Sequence, residues 1–284
     1  MKKLVYFFII GVLFFNCTGC LSNDTMDNIE IYTSVYPIKY VTERLYSSHS
    51  TIKSIYPSDV EVSNYKLTKT LVKDYSNNDL FIFNGISNEK DYLNDMVKYN
   101  ANLKIIDVTS NMEYENSIED LWLNPNSLLT IANNIKDGFR EYITSTYLVD
   151  EINENYKDLK LDLTTLDAKY YSTIKKANNK TIVVTDNAFK FLEKYGLKVI
   201  SLDDDTLENK DIIEAKEFFN SNKYIYIKYK EEISDDIKQL INDFGLEQIS
   251  LYTMTNLIDI DTTKTNYLNL MYQNLENLKT SLYN

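Results

Sequence analysis

The stretch Val149–Lys176, VDEINENYKDLKLDLTTLDAKYYSTIKK, is the one whose reading decides the fold. Ile152, Tyr156, Leu159, Leu163, Leu166, Tyr170 and Ile174 recur along it at spacings of three and four, which lays a single apolar stripe down one face of a helix. No glycine or proline interrupts it, and Ala177-Asn178-Asn179 marks its end. A stripe of this kind packs along a globular core. This one is also long enough to lie across two lobes as a stiff spine.

Working outward, Pro125 opens another helical stretch predicted over residues 126–145. Ahead of it, apolar runs predict strands over residues 29–35, 51–56, 79–84 and 103–108, alternating with helical patterns over 38–45, 67–75 and 88–99. Behind the long stretch the alternation resumes. Strands are expected over 181–185, 198–202, 224–228 and 247–252, and helices over 188–195, 212–220, 233–244 and 266–282, with Gly196 and Gly245 as caps. Strands alternating with helices imply parallel pairing, hence an α/β class built in two or three layers.

The N-terminus reads as an address. Met1-Lys2-Lys3 is a charged start, Leu4–Phe15 (LVYFFIIGVLFF) is an apolar run too short to span a bilayer, and small residues lead to Cys20. Both cysteines lie here, in Cys17-Thr18-Gly19-Cys20. A redox or zinc role for this pair needs a strand-to-helix junction or a second ligand pair, and neither is present. Thr18-Gly19-Cys20 resembles a bacterial lipobox, with Cys17 standing where that motif carries Leu. An ordinary secretory signal cleaved near Gly19 is the alternative. Lipidation of Cys20 would leave no thiol in the mature chain, and two acyl chains suffice for stable anchoring in a bilayer.

The formal charge is −12, and loss of Lys2 and Lys3 with the signal makes it −14. This argues against nucleic acid as a partner and suits a cationic ligand. Catalytic machinery is sparse. The one histidine, His49, lies in the polar turn Ser47-Ser48-His49-Ser50 and reads as a solvated residue. It excludes multi-histidine metal sites and leaves any Ser-His or Cys-His pair a single candidate. No nucleophile elbow, zinc-protease helix, P-loop or dinucleotide glycine run occurs, and the four glycines after the signal (85, 138, 196, 245) are far apart. An enzyme is therefore not expected.

Five separated segments carry a family resemblance. Ile31–Leu45 (IYTSVYPIKYVTERL), Asn77–Met96 (NNDLFIFNGISNEKDYLNDM), Leu121–Pro125 (LWLNP), Val183–Leu202 (VVTDNAFKFLEKYGLKVISL) and Thr265–Leu282 (TNYLNLMYQNLENLKTSL) occur in order. Together they resemble the substrate-binding lipoproteins of zinc and manganese ABC importers, the cluster A-I metal-binding proteins. The resemblance implies two α/β lobes joined by a single long rigid helix, with a ligand cleft between the lobes. It divides the chain into a signal peptide (1–19), a lipidated linker (20–28), an N-terminal lobe (29–148), a linking helix (149–178) and a C-terminal lobe (179–284).

The family's metal ligands map onto altered residues. Its first histidine aligns with Ser63, its second with Asp120, two before Trp122, and its third ligand with Asp186. The C-terminal carboxylate falls at Met254, and Lys228 stands where some members have a glutamate after a strand. Tight zinc sites take imidazole or thiolate, and neither is available here. Asp120 and Asp186, with Glu61 as a third, are expected to suit a harder ion such as Mn²⁺, Ca²⁺ or Mg²⁺. The alternative is that these aspartates are under no metal constraint.

The resemblance thus implies no resident cofactor, a divalent metal (Mn or Zn, otherwise Ca or Mg) as ligand, and an ABC permease as partner. It further implies attachment to the bilayer through acylated Cys20 on the extracytoplasmic face of the cell membrane. A diverged surface interaction protein or adhesin of the same fold is the rival function.

Overall fold

A computed structural model describes residues 26–57, 60 and 62–283. Cys17, Cys20 and the whole signal segment lie outside the described residues, as does Glu61.

Among the described residues, eight strands form two sheets of four. The first comprises β1 (Ile29–Thr33), β2 (Ser50–Ser54), β3 (Leu80–Phe83) and β4 (Lys104–Asp107), in the order β2-β1-β3-β4. The second comprises β5 (Thr181–Val184), β6 (Lys198–Ser201), β7 (Tyr224–Lys228) and β8 (Glu247–Leu251), in the order β6-β5-β7-β8. Every pairing is parallel, as helical crossovers between successive strands require. Position in the sheet explains the sequence of each strand. Interior β3, LFIF, is buried at all four residues, whereas edge β2, STIKS, alternates between half-buried and exposed.

Each sheet is covered on both faces. In β3, Phe81 and Phe83 point to an outer core with Leu93 and Met96 of the helix Glu89–Tyr99, while Leu80 and Ile82 point to the central core. In β5, Val183 faces outward to Ala215, Phe219 and Ile237, while Ile182 and Val184 face inward. The inner faces of both sheets belong to one continuous apolar cluster.

The spine of that cluster is the helix Thr146–Lys176, 31 residues and therefore roughly 46 Å long. It starts three residues earlier than the stripe alone predicts, because Ser145 caps the N–H of Leu148. Six of the seven stripe residues are buried and Tyr156 is half-buried. The first half of the helix engages the N-terminal lobe: Asn155 donates to the Leu45 carbonyl (3.0 Å) and Asp162 pairs with Arg44 (2.8 Å). Its second half engages the C-terminal lobe, where Tyr170 donates to the Met271 carbonyl (2.8 Å) and Asp167 accepts from the Tyr195 hydroxyl (2.7 Å).

Two local expectations change. Residues 187–195 form a 3-10 helix rather than an α-helix; the Asp186 side chain caps the Ala188 N–H (2.7 Å) and Gly196 closes the element at φ +95°. His49 is not solvated. Its ring, with the side chain 17% exposed, lies between Asp27 (2.9 Å) and Glu151 (3.0 Å), tying the approach to β1 to the long helix.

Candidate ligand cleft

In parallel sheets the loops that bind ligands leave the carboxyl ends of the strands. Here the carboxyl end of the first sheet and the loop after β8 of the second open on one cleft. After β1, β2 and β3 come Val35, Tyr56 and Asn84, and the segment after β4 supplies Tyr114 and Glu119. Thr255, after β8, reaches it from the second lobe. The cleft holds about 870 Å³, and a neighbouring pocket of about 340 Å³ places Met254 and Thr255 opposite Tyr36 and Tyr56.

Trp122 forms the joint between the lobes. It is 1% exposed, its indole N–H donates to the Thr253 carbonyl (2.9 Å), and its own carbonyl accepts from the buried Tyr267 hydroxyl (2.5 Å). The residue is both core and cleft wall. Met254, three residues past the end of β8, is fully buried and sits at φ +68°, a left-handed conformation uncommon for a residue with a long side chain.

 Strand β8 ends at Leu251, so Met254 stands three residues beyond it, in the loop that carries the Thr253 carbonyl.

Asp186 follows β5. One carboxylate oxygen caps the 3-10 helix, and the other meets the ammonium of Lys228, the last residue of β7, at 3.0 Å. Both side chains are mostly enclosed, Lys228 24% and Asp186 17% exposed. Two further carboxylates share this neighbourhood. Glu231 accepts the Lys228 N–H (3.1 Å) and the Thr185 hydroxyl. Burial pushes its carboxyl above the ordinary range, against those hydrogen bonds; the charge of Lys228 pulls it down and that of Asp186 pushes it up. Glu119 accepts from the Ser117 hydroxyl. Burial raises its carboxyl too, Asp186 adding to the effect and Lys228 opposing it.

The residues aligned with metal ligands are placed unequally. Asp120 begins the short helix Asp120–Leu123, and one of its oxygens accepts the N–H groups of Asn116 (3.0 Å) and Ser117 (3.5 Å), closing the turn before Trp122. Its other oxygen is buried without a hydrogen-bond partner. Ser63 lies in the 3-10 turn Val62–Asn64, its side chain outside the described residues along with Glu61. Among the described residues, no three of His, Cys, Asp and Glu are grouped to hold a metal ion. Of the set Asp120, Asp186, Ser63, Met254 and Glu61, Asp120 closes a turn, Met254 is buried in the loop after β8, and Asp186 faces a tethered ammonium. Sequence reading overlooks Glu119 and Glu231. The signals for them are the adjacency of Glu119 to Asp120 and the position of Glu231 just beyond the carboxyl end of β7.

The comparisons with known proteins agree with this architecture. The high-affinity zinc uptake system protein ZnuA of Bacillus subtilis (strain 168) is 24% identical over 316 aligned positions, covering 99% of this chain and 98% of that protein. The manganese-binding lipoprotein MntA of Halalkalibacterium halodurans is 24% identical over 226 positions, covering 71% of each. The crystal structure of Zn(II)-bound AdcA from Streptococcus pneumoniae superimposes with a TM-score of 0.73 at 21% identity. That match covers 90% of this chain but 58% of the longer AdcA chain. The profile of a family described as ZnuA, zinc-uptake complex component A, periplasmic, matches residues 31–281. Two parallel α/β lobes, a spanning helix and a shared cleft thus meet a match over nearly the whole chain: this protein belongs to the ZnuA family of zinc-uptake complex components, a family of transport proteins rather than enzymes.

Proposed function

We propose that this chain is the extracytoplasmic, lipid-anchored substrate-binding component of a zinc- or manganese-type ABC importer. It would capture a divalent cation between its lobes and present it to a membrane permease. The observation that carries this reading is the cleft between the carboxyl end of the first sheet and the loop after β8, in a chain matched to the family over residues 31–281. The candidate oxygens are those of Glu119, which lines the cleft, of Asp186 and Glu231, which act on one another electrostatically, and of Asp120 at the turn before Trp122. Such a donor set suits a hard ion better than zinc. The permease would recognise the lobe arrangement of the loaded protein, and ATP hydrolysis on other chains would supply the energy. Acylation of Cys20 would hold the protein at the membrane. No described helix is long and apolar enough to cross one.

Metal loading tests the cargo. The demetallated protein should melt higher in Mn²⁺, Zn²⁺, Ca²⁺ or Mg²⁺, gaining about 2.7 kcal/mol at a hundredfold excess over its dissociation constant. Asp186→Ala should abolish that response. No stabilisation by any of the four ions would overturn metal capture. Cys20→Ala should release the protein from the membrane fraction, and retention of that variant would overturn the anchor.

A second reading is favoured by one observation, the Asp186–Lys228 pair. An aspartate already neutralised by a lysine needs no metal, as in a surface interaction protein or adhesin of the same fold. Adhesion without any metal response in the loading experiment would support it.

A further inference from the structure

We infer that Lys228 is the residue that sets cation selectivity in this protein, by holding its own ammonium against the carboxylates that a divalent ion would need. This rests on the metal-capture reading above.

The backbone of Lys228 is pinned. Its position is set by the β7 register against Leu251, and its N–H donates to Glu231 (3.1 Å) and to the Thr185 hydroxyl oxygen (3.3 Å). Beyond Cα the side chain is a flexible four-carbon stem ending in a compact charge with three donors. That charge lies 3.0 Å from the Asp186 carboxylate, largely out of solvent, and it also acts on Glu119 and Glu231. Glu119 precedes the Trp122 turn of one lobe, whereas Asp186 and Glu231 belong to the other. The ammonium therefore stands within electrostatic reach of carboxylates from both lobes, one of which, Glu119, lines the cleft.

Two cations cannot share these oxygens. In a poorly solvated site like charges a few ångströms apart repel strongly, and an ion ligated by Asp186 would lie within that range of the ammonium. Occupation by a divalent ion thus requires Lys228 to swing away and surrender its ion pair. The consequence is a threshold: weakly attracted ions fail to displace the lysine, and affinity for every divalent ion is lower than the carboxylates alone would give. Asp186 is also kept from repelling Glu119 and Glu231 when no ion is bound.

The experiment compares the full-length protein in detergent with Lys228→Met, Lys228→Gln and Lys228→Arg, titrating each with Mn²⁺ and Zn²⁺ by calorimetry and thermal shift. Two neutral replacements guard against one failing to fold, which circular dichroism checks. The expected result is at least tenfold tighter binding of one ion by the neutral variants, no gain in Lys228→Arg, and loss of the gain when Asp186→Asn is added. If the wild-type protein binds neither ion but Lys228→Met does, the inference stands and metal capture by the natural chain fails. If the wild-type protein binds and both neutral variants bind no more tightly, the inference is overturned while the transport reading survives. No binding by any variant overturns both.

Discussion

Glu89 is 3% exposed at the base of the cleft, where its carboxylate accepts the Asn84 N–H (2.9 Å). Burial outweighs this and its neighbouring hydrogen bonds, pushing its carboxyl up from 4.5 to about 7. A carboxyl that holds its proton more tightly in the fold than in the unfolded chain favours the folded state most below its unfolded value. That stability is lost as pH rises through the folded one. His49 acts in the same direction. Burial alone would lower its pKa, but the hydrogen bonds and charges of Glu151 and Asp27 raise it, so its contribution is present below the ordinary imidazole value and lost as pH climbs through the raised one. Chemical denaturation between pH 5 and 8 should therefore show stability falling with pH, Glu89 accounting for roughly 3 kcal/mol. Glu89→Gln should flatten most of that slope and His49→Gln a smaller part. An unchanged slope in Glu89→Gln would show that Glu89 titrates normally.

At the scale of elements, the close approach of the helix Pro125–Tyr142 to β4 depends on Gly138. A Cβ there would meet the side chain of Ile106 at 2.7–2.9 Å, and Ile106 is a β-branched residue with little freedom to turn aside. Gly138→Ala should lower stability by roughly 1–3 kcal/mol through overpacking, less about 1 kcal/mol of gained helix propensity. Ile106→Ala in the same chain, which removes all three contacting carbons, should restore part of the loss. Urea denaturation of the two single variants and the double variant measures this coupling, and strict additivity would refute the contact. The long helix depends on its stripe in the same way: its buried leucines, Leu159, Leu163 and Leu166, face the central cluster shared by both sheets.

At the scale of the whole molecule, that continuous cluster and the Trp122 joint bind the lobes into one cooperative unit. Trp122 is the sole tryptophan, so its fluorescence reports on the junction while circular dichroism reports on both lobes. The two signals should follow one coincident denaturation curve. Trp122→Phe, which leaves the Thr253 carbonyl without this donor, should shift the circular dichroism midpoint by the equivalent of about 1–2 kcal/mol. Separate transitions in the natural chain would mean that the lobes unfold independently. Loading with a divalent ion should alter the Trp122 emission if capture changes how the lobes meet.

Much of this architecture was legible from local pattern. The stripe from Ile152 to Ile174, the buried run LFIF and the alternating STIKS depend on which side chains face a core, and hydrophobic periodicity records that directly. The 3-10 geometry after Asp186 was not legible, because apolar spacing alone does not separate it from an α-helix. Nor was the character of the cleft. The aspartates at 120 and 186 could be named, but not that one would close a turn while the other faced Lys228. Sequence alone settled the alternation of strands and helices, the long apolar stripe and the scarcity of zinc ligands, and its family resemblance implied two lobes joined by that helix. Only the tertiary structure decided the pairing of Lys228 with Asp186, the buried carboxyl of Glu89 and the clasp of His49. The physical reason is that charge interactions and desolvation depend on distance through space, and these partners lie far apart along the chain.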